Sequence, residues 1–399
     1  MRWLQWAVLL TALAGSARAE QTTYVSSPYV DLRYRNSTLD SDKFANSGHA
    51  NTLRLQLGYL WAIDPQWAVY AEGTRVWSLF GREYDDTTGR RTPYPAEPDP
   101  ESTELSNAWI DYHNAWLDLR VGRQYLRIDN NRFFSVNAWR QNPQSFDAVS
   151  STFQLAPGTV LSYDWLRQVN RTVGADFPDI TQRRWRLNGH ILHLDQTLPL
   201  GKLTAYGYFI RNDTLAANSV RTLGARWTGS ESFAANTKLA WTAELAHQRD
   251  YSNNPVHFSL PYHLGELTYG LPEISLKLGE EGLGGDGKTA FNIAYGSGHS
   301  FDGWMGEFKV PPHGLRDRYG GLVGVLPWHG LVWQVIYHDF NRYDGTQRYG
   351  DEWDGGVLAQ LNRSFSLELQ YGNYHARTFA VDEHKLWLLA EYKFGKQPQ

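Results

Sequence analysis

Arginine is the residue type whose spacing in this chain most suggests chemistry. A guanidinium stays charged at physiological pH and presents a planar set of donors that suits carboxylates and phosphates. A surface that gathers such side chains would attract and orient anions. Arginines recur on the polar faces of segments in which polar and apolar residues alternate: Arg33, Arg35, Arg54, Arg120, Arg184, Arg186 and Arg226.

Acidic residues share those polar faces and leave a second interpretation open. An arginine paired with a carboxylate on a neighbouring segment would brace the fold and give no preference for either sign of charge. The acidic residues on or near the polar faces are Glu72, Asp118, Asp164, Glu244, Glu368 and Glu391.

The alternating segments predict β-strands with two different faces. The pattern recurs along the chain, for example over residues 30–35, 53–61, 365–371 and 386–394. Several segments have roughly ten residues, which is the length that crosses the hydrocarbon of a membrane when tilted. Strands of soluble sandwiches are more often about five or six residues long.

The connections between these segments alternate in length. Tight connections at 64–66, 114–115, 156–158 and 198–201 separate long polar stretches at 81–102, 169–182, 249–261 and 341–353. Short turns at one end and long loops at the other are typical of outer-membrane barrels. We therefore expect an all-β fold, a closed transmembrane antiparallel barrel of about 18 strands, with 16 as the alternative, since bacterial barrels have even numbers. A lumen of that size is wide enough for an aqueous channel.

The N-terminus resembles an export signal. Arg2 precedes an apolar run over residues 3–14, and Ala17-Arg18-Ala19 fits a small-x-small cleavage site before Glu20. A buried N-terminal helix is the alternative. We predict a signal peptide at residues 1–19 and a single mature domain, the barrel, at residues 20–399, in the outer membrane of a Gram-negative bacterium.

Composition excludes several other classes of protein. The chain has one long apolar run, at its N-terminus, so it is not a helical membrane protein. A net charge of −4 disfavours a nucleic-acid partner, and the absence of Cys argues against disulfides and Cys-ligated metals. The 17 Trp, 23 Tyr and 17 Phe suit the aromatic girdles of a barrel. Neither Asp85-Asp86 nor the acidic run at 351–354 fits a calcium loop, so we expect solvated loop faces and no metal or cofactor.

One block resembles a known family. Residues 119–149 read LRVGRQYLRIDNNRFFSVNAWRQNPQSFDAV, with Gly-Arg-Gln, an Asp/Asn-rich loop, Trp-Arg-Gln-Asn and Phe-Asp-Ala in that order. This order is similar to that of the alginate-export family of outer-membrane porins, including its shorter, uncharacterised branch. The resemblance implies a porin. It does not imply that alginate is the solute here.

The same block carries four further arginines: Arg123, Arg127, Arg132 and Arg140. Strict alternation ends after Val121, so the stretch either folds into the lumen and narrows it or forms a surface loop or bulged strand pair. The direction of Arg123 stays open. With the seven strand arginines, these four complete the set that we expect to line the pore and contact solute.

The expected function is an outer-membrane channel that passes polar, anionic solutes, such as acidic sugars or polysaccharide. Expected partners are that solute, outer-membrane lipid and the insertion machinery that recognises an aromatic residue at the end of the chain. Here the last strand ends in the aromatic Phe394, but residues 395–399 follow it, which departs from that pattern. A mixed, weakly selective pore is the alternative selectivity. A barrel enzyme and a plugged structural or adhesive barrel are the alternative classes, although no G-x-S-x-G or H-E-x-x-H sequence is present and we assign no catalytic residue.

Overall fold

A computed structural model describes residues 24–233, 236–306 and 310–398, and within them the predicted all-β fold is confirmed as one sheet of eighteen antiparallel strands. The predicted export signal at residues 1–19 lies outside the described residues. No helix in the described ranges is long and apolar enough to span a membrane. In chain order the strands are β1 (Ser27–Ser41), β2 (Gly48–Ala62), β3 (Trp67–Ser78), β4 (Ser102–His113), β5 (Leu117–Gln124), β6 (Ser145–Ala156), β7 (Thr159–Asn170), β8 (Arg184–Leu198), β9 (Gly201–Asn212), β10 (Val220–Phe233), β11 (Thr237–Asp250), β12 (Ser259–Gly270), β13 (Ile274–Leu283), β14 (Leu315–Leu326), β15 (Leu331–Asn341), β16 (Arg348–Gln360), β17 (Phe365–Ala376) and β18 (Glu383–Phe394).

Within the described ranges, helical structure occurs only in connections between strands. The helix α1 (Ile180–Arg183) precedes β8, and 3₁₀ turns lie at Ala216–Asn218 and Trp328–Gly330. The side chain of Asp179 caps α1 by accepting from the backbone N–H of Thr181. Such short helices are single turns between strands and do not add a second layer to the fold.

The sheet closes on itself. Each strand pairs with the next along the chain, and β1 pairs with both β2 and β18. The seam between the first and last strands is antiparallel and runs from Val30 opposite Phe394 to Ser41 opposite Glu383. Closure leaves no row of unpaired backbone groups, which is the condition for a sheet to cross a bilayer.

The outward face of the barrel is apolar over the middle of the strands. Leu57 on β2, Leu223 on β10, Leu278 on β13 and Leu388 on β18 are all exposed there. Residues on either side of them in sequence point inward, as the pleat of a strand requires. An exposed apolar band around the whole wall is unfavourable in water and suits contact with lipid acyl chains.

The strand connections are short at one end of the barrel and longer at the other. The three longest, at the second end, are named here L2 (79–101), L3 (125–144) and L7 (284–314). The sequence prediction located L2 but not L7. It was wrong over 341–353, because residues 348–353 belong to β16 and the connection is only 342–347.

Candidate permeation pathway

L3 folds into the lumen and is held against β1. The side chain of Arg33 points inward and donates to the backbone carbonyls of Ala138, Trp139 and Arg140 at 2.8, 3.1 and 2.6 Å. Its Nε donates to the side-chain oxygen of Gln141 at 3.0 Å. Arg33 therefore points into the lumen, and its donors bind the loop.

L2 joins the same contact. The guanidinium of Arg35 is fully buried, donates to Glu97 at 3.1 Å, and also pairs with Asp99. Burial alone would raise the pKa of Glu97, but the guanidiniums of Arg35 and Arg140 lower it to about 2. The Nε1 of Trp387 on β18 donates to the second oxygen of Glu97 at 3.1 Å. L2 is thus held to both strands of the seam.

Arg132 ties L3 to a distant wall of the barrel. Its guanidinium makes two hydrogen bonds to Glu281 on β13, at 2.7 and 2.8 Å, and one to Asp302 of L7 at 2.6 Å. A third partner is the backbone carbonyl of Ser297 at 3.2 Å. The Arg132 side chain is fully buried, so it serves as an internal tether and does not line the passage.

L7 is held by acidic side chains of β16 that accept from its backbone. Glu352 accepts from the N–H groups of Trp304 and Met305 at 2.6 and 2.9 Å, and Asp354 accepts from that of Trp304 at 3.1 Å. Lys385 on β18 donates to the carbonyl of Met305 at 2.8 Å. The prediction of a solvated acidic loop at 351–354 was wrong here, since Glu352 and Asp354 lie on a strand and are buried.

L3 and L7 also pack on each other. The rings of Trp139 and His299 stack with centroids 3.7 Å apart and an interplanar angle of 7°. Burial lowers the pKa of His299 to about 3, so the ring is neutral at pH 7. Phe134 of L3 stacks on Tyr295 of L7 at 5.6 Å. The two loops therefore form one aromatic core inside the barrel.

Three predicted wall arginines face the lumen but are paired with acidic residues. Arg54 contacts Asp31 and Glu391 at 2.8 and 3.2 Å. The other two are Arg226, which contacts Glu244 at 2.6 Å, and Arg120, which contacts Asp111 at 2.7 Å and lies over the ring of Trp109. These three arginines therefore fit the second interpretation of the sequence, in which arginines pair with carboxylates across neighbouring strands and stabilise the wall.

Arg127 differs from the other lumen arginines. It is exposed, and its guanidinium lies 5.6 Å from the ring centroid of Tyr125. The hydroxyl of Tyr125 donates to Glu72 on the inward face of β3 at 2.8 Å, which places this pair inside the barrel. No carboxylate among the described residues forms an ion pair with Arg127. Arg140, the last arginine of the block, is partly exposed and 3.4 Å from Glu97.

Arg123 faces outward, so it does not line the pore. It shares the outward face with Val121 and makes a two-point contact with Asp147 on β6, at 2.6 and 3.1 Å. The intervening Gly122 lies in the left-handed region with φ of 132°, and a Cβ there would be 2.2 Å from the carbonyl oxygen of Ala108. The Gly-Arg-Gln motif thus has a structural explanation.

Arg184 and Arg186 also face outward, which corrects their predicted orientation. On this half of β8 it is Trp185, Leu187 and Ile191 that point inward and are buried. The ring of Trp185 packs edge-on against Tyr295 of L7 at 5.7 Å. The loops place an apolar core inside the barrel at this level, so the apolar face of β8 turns inward and the arginines turn out.

Sequence reasoning missed the acidic wall that receives L7. Asp317 on β14 is buried and bonds His338 on β15 at 2.8 Å, next to Asp354. The sequence did contain a signal for it. Gln334 and His338 share one face of β15 with apolar residues, and a face that mixes polar and apolar residues indicates a lumen filled by protein.

Comparisons with known proteins agree with this architecture. The sequence profile described as Alginate export matches residues 29–257. Pseudomonas aeruginosa OpdK, solved with vanillate, is 17% identical with a TM-score of 0.71, over 92% of this chain and 98% of that one. A BenF-like porin from Pseudomonas fluorescens Pf-5 is 11% identical with a TM-score of 0.74, over 93% and 100%. Acinetobacter baumannii OccAB4 is 15% identical with a TM-score of 0.71, over 94% and 99%. No curated protein matches.

Proposed function

This chain belongs to the alginate export family of outer-membrane barrels, and from that premise we propose that it is a channel for small organic anions that carry a carboxylate. The apolar band around a closed wall is the surface that an outer membrane requires. The proposal concerns what passes inside that wall.

The observation that carries the proposal is Arg127, an exposed residue in the lumen that forms no ion pair with an acid among the described residues. The guanidinium N–H groups of Arg33, Arg35 and Arg132 bind loop carbonyls and buried carboxylates. Arg127 keeps its donors available beside the ring of Tyr125. A charged fork next to an aromatic face is suited to a carboxylate with an apolar or sugar body.

The relatives favour the same solute chemistry. OpdK was solved with vanillate, which is a small aromatic carboxylate. Alginate, after which the family is named, is a polymer of carboxylated sugars. A small solute suits this chain better than a polymer, because L3 would have to leave its place for a polymer. Removing one partner of a buried pair such as Arg132–Glu281 costs about 3–5 kcal/mol.

Planar-bilayer recordings test the proposal. We expect the reversal potential of the wild-type channel in asymmetric KCl to show a preference for chloride. Arg127→Gln should weaken that preference and Arg127→Glu should weaken it further, whereas the outward-facing variant Arg186→Gln should not. A wild-type channel that prefers potassium, or equal potentials for all four proteins, would refute the assignment.

A plugged barrel is the second candidate, because L2, L3 and L7 are all anchored in the lumen. This candidate predicts no conductance from the wild-type protein at any voltage. It also predicts steps of conductance once the tether is removed in Arg132→Met. Stable wild-type steps would exclude it.

A further inference from the structure

A group of arginines covers the outer surface of β7 to β11 at the end that carries the long loops. We name it the arginine patch; its members are Arg167, Arg184, Arg186, Arg221 and Arg249. Arg184 is the first residue of β8, Arg221 the second of β10, and Arg249 the last but one of β11. The antiparallel order brings these positions to one end of the barrel.

The patch lies directly above the apolar band. Arg221 shares the outward face of β10 with Leu223, which is 50% exposed, and Arg249 shares that of β11 with Leu245, which is 70% exposed. On β8 the outward positions run from Arg186 to Leu192. The guanidiniums are therefore at the height where lipid head groups meet acyl chains.

The patch is not neutralised by the protein. No ion pair or hydrogen bond of the side chains of its five members occurs among the described residues. Three acids beside the patch have other partners: Asp213 contacts Arg211 at 2.7 Å, Asp147 contacts Arg123 at 2.6 Å, and Asp250 contacts His257 at 2.8 Å. Arg221 even lies directly opposite Arg249 across the β10–β11 pair, an arrangement of like charges that destabilises a sheet by itself.

On the β14–β17 side at the same end of the barrel, three arginines have acidic partners. Arg318 on β14 contacts Glu280 at 2.5 Å, and Arg348 on β16 contacts Asp339 at 2.6 Å. Arg377, after β17, is 3.7 Å from Asp351. The arginine patch thus differs from the β14–β17 side of the wall, where these arginines are paired with acids.

We propose that the arginine patch binds the phosphate groups of a phosphorylated lipid in the outer leaflet. Guanidiniums suit phosphate oxygens geometrically, and clustered basic residues at a membrane interface attract anionic head groups. The acyl chains of such a lipid would lie on the band that contains Leu223 and Leu245. Bound phosphates would also relieve the repulsion between Arg221 and Arg249.

Native mass spectrometry of the full barrel in detergent tests this site. The probes are bis-phosphorylated lipid A and the same lipid without its phosphates. We expect the wild type to retain the phosphorylated lipid preferentially. The triple variant Arg186→Gln, Arg221→Gln, Arg249→Gln should bind it at least about tenfold more weakly.

The matched control is Arg318→Gln, Arg348→Gln, Arg377→Gln, which removes the same charge from the paired side and should keep wild-type binding. Heat-modifiable migration of each variant on a denaturing gel confirms that the barrel has folded. Equal retention of the two lipids, or equal loss in both triple variants, would overturn the proposal. Full displacement of the lipid by inorganic phosphate would replace lipid with free phosphate as the ligand. Channel recordings are independent of all these outcomes.

Discussion

Arg132 and Glu281 form a two-point ion pair in the interior of the barrel, with nitrogen–oxygen distances of 2.7 and 2.8 Å. Arg132 lies on L3, Glu281 lies on β13, and both side chains are almost completely buried. The pair joins a loop that starts at β5 to the far side of the wall. Together with the bonds from Arg33 to residues 138–141, it fixes the position of L3 and hence the width of the passage.

Arg132→Met should loosen the attachment of L3 to β13 and L7 without unfolding the barrel. The change leaves Glu281 and Asp302 without their cation, at a cost of about 3–5 kcal/mol for a buried pair. We expect larger and noisier single-channel currents, and a lower melting temperature for a barrel that still migrates as folded. Arg82→Met, which breaks the exposed pair with Glu101, is the control and should cost at most about 1 kcal/mol. Identical currents in the wild type and Arg132→Met would show that L3 does not depend on this tether.

Acidification should loosen the contact between L3 and L7. In the stack with Trp139 the pKa of His299 is about 3, while the free ring has its ordinary value of 6.5. The stabilisation is complete above pH 6.5. Below pH 6.5, the equilibrium between the stacked, neutral ring and the released, protonated ring shifts toward release. The shift is up to about tenfold per pH unit and ends near pH 3, the pKa of the stacked ring.

Hydrogen exchange of the Trp139 segment at several pH values measures this effect. Exchange rates, corrected for their intrinsic pH dependence, should rise from pH 7 to pH 5 in the wild type. His299→Gln has no titrating ring and should show a flat profile. If the corrected exchange rates of the wild type are also independent of pH, protonation of His299 does not weaken the contact between L3 and L7, and the prediction is wrong.

Charge reversal on the inward face of the wall should change ion selectivity, and charge reversal on the outward face should not. Arg120→Glu introduces a negative charge in the lumen beside Asp111. The reversal potential should therefore shift in the direction that indicates greater cation selectivity. Arg186→Glu changes the outward face and should leave the reversal potential where it is. A shift caused by Arg186→Glu would contradict the orientation of β8 described above.

Leu278→Arg should destabilise the barrel in lipid. Leu278 is 51% exposed on the outward face in the middle of β13, where an arginine costs about 2–4 kcal/mol. Asn188→Arg, near the loop end of β8, should cost at most about 1 kcal/mol. Urea titrations in phospholipid vesicles give both values. Equal costs would mean that Leu278 does not face the hydrocarbon.

The strands, their number and the closed sheet could be predicted, because alternation and turn length are local properties of the sequence. The inward fold of L3, one of two alternatives for residues 125–144, is what the structure shows. Alternation shows that a strand has two unlike faces, but it does not show which of them faces the lumen. That depends on what fills the lumen, and on β8 it is the core of L3 and L7, which turned Arg184 and Arg186 outward.

The roles of the arginines could not be predicted because their partners are remote in sequence. Arg33 and its acceptor Gln141 are 108 positions apart, and Arg132 and Asp302 are 170 apart. An arginine on the polar face of a strand has the same neighbouring residues in sequence whether its side chain contacts an inserted loop or water. Only the fold distinguishes Arg127 from Arg132, although both come from one block.

The seam between β1 and β18 constrains how the protein can be made. Its twelve residue pairs join the first strand to the last, so the cylinder is incomplete until nearly the whole chain has been synthesised. A chain that stops after β17 would be an open sheet with two bare edges rather than a narrower tube. The unfolded chain must therefore be protected from aggregation until β18 has been made. The slowest folding step should be the pairing of β1 with β18, because these strands are the most distant in sequence.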